Sequence, residues 1–220
     1  IVKKYYKSHK DEHELIKSNF KNLILNKNRI NGINEAIKMK FDTVILDDGF
    51  QDYKIKSKLN IVCFNKNQLI GNGLVLPSGP LRGSLRSLND VDIVLINGEE
   101  DNDFEKKILK INKNLKIFYS FYKPLNIDEF KNKDLTAIAS IGNPDNFFNL
   151  LSKHNLNIKK KLIYPDHYKF TEEQIKNIIF EAEKSNNHII MTEKDFTKFK
   201  YHKTSRLNYL KVTLELQKPE

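Results

Sequence analysis

A chain of 220 residues with one cysteine can bury one sizeable core or two smaller ones, and it holds neither a disulfide framework nor a cysteine-based zinc set. Its hydrophobic content of 39% belongs to a folded body, and no apolar run approaches the roughly 18 residues of a membrane span. The net charge of +10 permits attraction to anionic partners, but the lysines are scattered and accompany no RNA-binding aromatic motif or helix-turn-helix signature, so nucleic acid is not an expected partner.

The sequence opens on Ile1 and a polar stretch from Lys3 to Lys10, and it reads as a chain whose beginning lies upstream. Asp11-Glu12-His13-Glu14 starts a short helix, where acids suit the positive end of the helix dipole. Leu23-Ile24-Leu25 is a short strand, and residues 28–40 form a helix with Ile30, Ile33 and Ile37 on one face. Residues 41–46 then run into Asp47-Asp48-Gly49-Phe50-Gln51, which predicts a buried parallel strand whose carboxyl end opens into a crevice. A strand over 59–64 buries Cys63. The loop from Asn72 to Gly83 is the stretch richest in Gly and Pro, and its Leu and Val content predicts an ordered, functional loop.

Val91 to Asn97 is the next strand, followed by a helix with Phe104, Ile108 and Ile111 on its core face. Residues 116–125 are extended and cross to a second lobe. That lobe begins with a strand over 135–140 and a helix capped by Asn143 with Pro144 at its first position. A strand over 161–164 ends at Pro165-Asp166-His167-Tyr168. Thr171 and Gln174 form a capping box for a helix with Ile175, Ile178, Ile179 and Ala182 on one face. His188 to Met191 is a strand ending in Thr192-Glu193-Lys194-Asp195, and residues 207–216 form the last strand. Strands alternating with helices predict an α/β fold, a mostly parallel sheet flanked by helices, with a second, smaller α/β lobe. The boundary is expected between 117 and 118, giving lobes 1–117 and 118–220.

Polar clusters follow apolar strands at Asp47-Asp48-Gly49, Ile141-Gly142-Asn143, Asp166-His167 and Thr192-Glu193-Lys194-Asp195. Parallel strands on one edge share a crevice, so the coincidence says more than any member. Taken singly, Asp47 and Asp48 read as turn formers, His167 as a loop histidine and Thr192 to Asp195 as a helix cap. His9, His13, His154, His188 and His202 show no metal-ligand spacing and read as surface residues. Only four basic residues are arginine, Arg29, Arg82, Arg86 and Arg206; where lysine is the default, an arginine suits a planar grip on phosphate or carboxylate.

Asp47-Asp48-Gly49-Phe50-Gln51, the loop Asn72 to Arg82, Ile141-Gly142-Asn143-Pro144, Asp166-His167-Tyr168 and Thr192-Glu193-Lys194-Asp195 stand in the order and approximate spacing of the tetraacyldisaccharide 4'-kinase family. The resemblance spans nearly the whole chain. It implies a P-loop-kinase-like fold that moves the γ-phosphate of ATP to the 4'-hydroxyl of a lipid A disaccharide precursor at the cytoplasmic face of the bacterial inner membrane. It further implies that Asp47 and Asp48 hold Mg2+, that Asp11 draws the proton from the sugar hydroxyl with His167 as its dyad partner, and that Arg29, Gln51, Asn72 and Arg82 face the acceptor.

The chain departs from the family pattern in three places. Lys10 replaces the glycine of a Gly-Asp-Glu segment, and Asp52 stands where the family carries histidine after Gln51. No Gly-x-x-x-x-Gly-Lys-Ser/Thr occurs, and none of the eight glycines is followed by lysine. The resemblance implies that a P-loop and a membrane-associating helix precede the matched region, and that the 220 residues alone are inactive. A non-catalytic basic α/β module for anionic lipid or nucleic acid, and another nucleotide-dependent phosphotransferase sharing the Asp-Asp strand end, are the alternative readings.

Overall fold

The computed structural model describes residues 1–199, 201–202 and 204–217, with Ser8 through its backbone alone. Lys200, Lys203 and the last three positions of the expected 118–220 lobe lie outside the described residues. In chain order the elements are β1 (Val2–Lys4), α1 (Lys10–Asn19), β2 (Ile24–Asn26), α2 (Arg29–Lys38), β3 (Leu46–Asp47), β4 (Ile61–Asn65), β5 (Ile93–Asn97) and α3 (Asn102–Leu109). They continue with β6 (Lys116–Pro124), β7 (Asp134–Ala139), α4 (Pro144–Lys153), β8 (Asn157–Ile163), α5 (Glu172–Lys184), β9 (His188–Thr192), α6 (Glu193–Phe199), β10 (Leu207–Leu210) and β11 (Val212–Leu216).

The chain forms two compact units interleaved in sequence. One holds Ile1, Lys3–Asn28 and Pro124–Thr213; the other holds Val2, Arg29–Lys123 and the residues from Leu214. A single boundary between 117 and 118 does not describe this division, because β6 stays in register with β5 beyond 117 and α1 packs on α6.

In the first unit a four-stranded sheet runs in the order β10-β9-β7-β8, and all its neighbours are parallel. Strand alternation sorts its side chains into two layers. Leu135, Ala137, Ala139 and Ile190 pack with Phe147, Phe148 and Leu151 of α4 on one side. Ile138, Ile189 and Met191 pack with Ile175, Ile178 and Ala182 of α5 and Phe199 of α6 on the other. Thr171 caps α5, its hydroxyl accepting from Gln174 N–H while the Gln174 side chain accepts from Thr171 N–H. Asn143 makes no such bond; Pro144 in the first turn sets the entry to α4 instead. β1 lies beside β2, with Ile24 N–H donating to Ile1 O at 2.9 Å and Tyr5 N–H to Asn26 O at 3.0 Å.

In the second unit β4, β5 and β6 are parallel neighbours, and Gln217 N–H donates to Tyr119 O at 2.9 Å as β11 leaves the β6 edge. Val94 and Ile96 of β5 pack with Phe104 and Ile108 of α3 and with Leu88, Val91, Leu115 and Tyr119. Tyr119 donates its phenol to Glu105 at 2.7 Å; burial first and that acid next push its pKa up to about 12.

Four expectations change here. Cys63 sits on the exposed face of β4, because alternation sends Val62 and Phe64 to the core. The strand before the two acids is only two residues long and Ile45 is 65% exposed, so it is not a buried run. On α2 the buried face is Arg29, Gly32 and Ala36, while Ile30 and Ile37 stay exposed. The last predicted strand is two strands, interrupted at Lys211, whose N–H turns to the Asn126 side chain.

Candidate active site

The carboxyl ends of β7, β8 and β9 lie on one edge of the first unit's parallel sheet, which is where Ser140-Ile141-Gly142, Asp166-His167 and Glu193 to Asp195 fall. Asp11 and Glu12 occupy the first turn of α1. His167 has a left-handed backbone, φ 56°, in a turn closed by Tyr168 N–H on Pro165 O, and its N–H is held by Asp166 Oδ1 at 2.9 Å. Histidine tolerates that conformation better than β-branched residues do. A Cβ at Gly142 would lie 3.3 Å from Asp166 Oδ2, so that carboxylate would have to give by a few tenths of an ångström.

His167 Nδ1 lies 3.1 Å and 3.2 Å from the two oxygens of Asp11. The carboxylate only accepts, so the ring donates from Nδ1. Its Nε2 lies 3.4 Å from both Lys194 Nζ and Glu12 Oε1, and Lys194 Nζ is also 3.3 Å from Glu12 and 3.1 Å from Asp166. Burial alone pushes the Asp11 carboxyl up, but the His167 hydrogen bond and the charges of Lys194, His167 and Lys198 together hold it below the usual carboxylate range. Burial acts the same way on Glu12, and Lys3, at 3.2 Å, and Lys194 outweigh it.

His9 also belongs to this cluster, which the sequence did not indicate. Its ring stacks on His167 at 4.6 Å and 3°, and with Glu12 and His167 it offers ligand atoms within 4.8 Å of one another. The Lys194 ammonium lies 3.3 Å from Glu12 Oε1 and 3.4 Å from His167 Nε2, so two of these three groups already face a cation. His13 is buried, stacked on Tyr5 at 5.5 Å, with burial, then Lys3 and His9, pulling its pKa down.

Asp195, fully buried, accepts from Ser140 N–H at 2.8 Å, from the Thr192 hydroxyl at 2.9 Å and from the Ser140 hydroxyl. Lys198 donates to Asp195 at 2.9 Å and to Ser140 Oγ at 2.7 Å. The cap spacing of Thr192 to Asp195 marked one helix start but not this network. Lys194 and Lys198, four apart and therefore on one helix face, were the available signal.

The second unit holds the Asp-Asp strand end. Asp48 has φ 53°, which breaks the strand at that residue. Arg29, buried on α2, donates from Nη2 to the carbonyls of Asp47 at 3.0 Å and Asp48 at 2.6 Å, and its Nη1 lies 3.6 Å from Asp52. Arg29 thus braces the strand end from inside the unit, and Asp52 partners it. A hydrogen bond from a charged donor is worth about 1.5–3 kcal/mol. Arg29→Met is therefore expected to destabilise the protein by at least that amount in urea unfolding; an unchanged midpoint would refute the brace.

Arg82 Nη1 pairs with Asp48 Oδ1 at 3.0 Å, both side chains more than half exposed. Such a pair is worth little and exchanges readily. Gln51 is exposed in the following turn. The Asn72 amide is engaged within its own loop, donating to Ser78 O at 2.8 Å and accepting from Leu74 N–H at 3.1 Å. Gly79 must be glycine there, since a Cβ would lie 2.2 Å from Asn72 Oδ1. Two carboxylates on a braced backbone are hard oxygen donors of the type that holds magnesium together with phosphates.

The fold is a mostly parallel α/β framework with helices on its faces. The "apo" form of LpxK from Aquifex aeolicus, solved in complex with ATP, matches with a TM-score of 0.65 over 94% of this chain and 64% of that one, at 22% identity. Residues 6–220 match the family described as Tetraacyldisaccharide-1-P 4'-kinase. The tetraacyldisaccharide 4'-kinase of Pelagibacter ubique is 41% identical over 219 residues, 98% of this chain and 69% of that protein. That of Francisella philomiragia is 36% identical over 183 residues, 79% of this chain and 55% of that protein. The chain belongs to the tetraacyldisaccharide 4'-kinase family of phosphotransferases.

Proposed function

We propose that this chain supplies the base, the metal-binding acids and acceptor contacts of a kinase that transfers the γ-phosphate of ATP to the 4'-hydroxyl of a tetraacyldisaccharide 1-phosphate in lipid A synthesis. The observation that carries the reading is the Asp11–His167 pair at 3.1 Å on the strand-end edge of the first unit. Phosphoryl transfer asks the protein chiefly for positioning and charge, and the acceptor proton leaves late, so a carboxylate of lowered pKa suffices as its acceptor. Asp11 takes that proton; His167, donating from Nδ1, orients the carboxylate and stabilises the protonation state it starts from.

Asp47 and Asp48 would hold Mg2+, whose charge offsets that of the nucleotide phosphates when it is bound. Arg82, exposed and exchangeable, moves from Asp48 to an anionic group of the acceptor, and Gln51 adds a polar contact beside it. Asn72 acts through its loop, and Arg29 through the backbone it braces. The acyl chains of the acceptor call for a membrane surface, which the family resemblance implies is the cytoplasmic face of the bacterial inner membrane, and a chain of charge +10 suits an anionic bilayer. Among the described residues no helix is long and apolar enough to cross a membrane.

The test is transfer of labelled phosphate from ATP to tetraacyldisaccharide 1-phosphate by the native protein that carries this chain. Lipid binding without transfer would favour the non-catalytic basic module instead. The 220 residues alone are expected to show no turnover, since they contain no Gly-rich lysine loop for the β- and γ-phosphates. Turnover by this chain unaided would overturn that part.

A further inference from the structure

We propose that Lys198 is a positioning residue for Asp11, held in place by the buried carboxylate of Asp195 independently of the acid it serves. The inference rests on the reading of Asp11 as the proton acceptor. An ammonium has three N–H donors. Lys198 directs one to Ser140 Oγ at 2.7 Å and one to Asp195 Oδ1 at 2.9 Å, and Asp11 Oδ2 lies 3.5 Å from the same nitrogen. Its Nζ lies over the Phe170 ring, 6.0 Å from the ring centre.

Both anchors belong to the frame of the sheet. Ser140 follows β7 and is fully buried; Asp195 is fully buried in α6 and accepts from the Ser140 backbone N–H and the Thr192 hydroxyl as well. A buried carboxylate is tolerated only with such a set of donors. Lys194 is placed differently. Its ammonium is shared among Glu12, Asp166 and His167 and stands 4.0 Å from Asp11. Lys194 is therefore held by partly exposed groups, whereas Lys198 is held by fully buried ones. Asp11 is left between two donors of different origin, His167 on one side and Lys198 on the other. Among the described residues, the titratable and charged groups facing Asp11 are His13 on its own helix, His167 from the loop before α5, and Lys194 and Lys198 from α6, with Asp195 on the far side of the Lys198 ammonium.

The experiment is the pH profile of kcat for Lys198→Met, Lys198→Arg and Asp11→Asn in the native protein that carries this chain. An opposite charge at this range lowers a carboxyl pKa by about one unit or more. Removing it raises the Asp11 pKa, so the acid limb of the Lys198→Met profile is expected to move to higher pH by about one unit. KM stays within about twofold, and Lys198→Arg keeps the limb near its wild-type place. A Lys198→Met limb unmoved from wild type, with only a lower melting temperature, would overturn the proposal. So would an equal displacement by Met and Arg, since charge would then play no part. If Lys198→Met does not fold, Ser140→Ala, which removes the neutral anchor, is expected to move the limb the same way by less; an unmoved limb there overturns the proposal too. The two readings fail separately: full activity in Asp11→Asn removes the base and this inference with it, whereas an inactive Asp11→Asn beside an unmoved Lys198→Met limb removes this inference alone.

Discussion

With Asp11 replaced by asparagine, ATP-dependent phosphorylation of the tetraacyldisaccharide acceptor is expected to lose about 10²–10⁴ in kcat, the usual worth of a positioned general base. Asparagine keeps the size of the side chain and can still meet His167, so the fold of α1 and its packing on α6 survive. What disappears is a group able to accept the proton and the negative charge that Lys194 and Lys198 balance. Because neither change touches how the acceptor binds in its ground state, KM should vary by less than about threefold. His167→Ala should also lower kcat, but less, since Asp11 remains ionised beside two lysines and loses only the donor that fixes its orientation. Steady-state kinetics at saturating ATP and lipid decide both; a near-wild-type kcat in the two variants would remove the pair from the mechanism.

Asp195→Ala is expected to destabilise the protein by about 3–5 kcal/mol, the range for breaking a buried charge pair by deleting one member. The side chain has no exposed surface, and its oxygens take up the Ser140 N–H, the Ser140 and Thr192 hydroxyls and the Lys198 ammonium. Alanine leaves a backbone N–H and a cation in a space too tight for them to rehydrate fully. Since total stability is about 5–15 kcal/mol, the loss is a large fraction of it. Urea unfolding gives the number directly. A shift under about 1 kcal/mol at unchanged slope would mean that Lys198 finds water and the network contributes little.

Element type was legible wherever a local signal and burial agreed. The Thr171–Gln174 capping box and the helix of Ile175, Ile178 and Ala182 stand in the structure as the spacing indicates. The apolar face of α2 did not, because Ile30 and Ile37 are equally spaced with the buried set Arg29, Gly32 and Ala36, and only tertiary contact chooses between two faces of similar period. The same holds for Cys63, where the apolar run from Ile61 to Phe64 carries no alternation to say which side is covered.

At the candidate site, Asp47, Asp48 and His167 drew attention at strand ends and Asp11 through the resemblance alone. Lys198 was not singled out in a lysine-rich chain, and Glu12 and Lys194 entered only as members of a helix start and a polar cluster, since their significance lies in partners distant in sequence. Arg29 was read as a grip for substrate, but its fork is engaged with the carbonyls of Asp47 and Asp48, a use that only the fold reveals.

The interleaving of the two units has a temporal side. Asp11 and His167 are 156 residues apart in the chain and join only because residues 3–28 fold with residues 124–213. At a ribosomal rate of about 5–20 residues per second, roughly 8 to 30 s separate the synthesis of the acid from that of its partner. Throughout that interval α1 lacks α6, so the nascent polypeptide carries Asp11 without orientation or counter-charge. Asp11 therefore gains its partners only after α6 and the sheet that anchors Lys198 have been made.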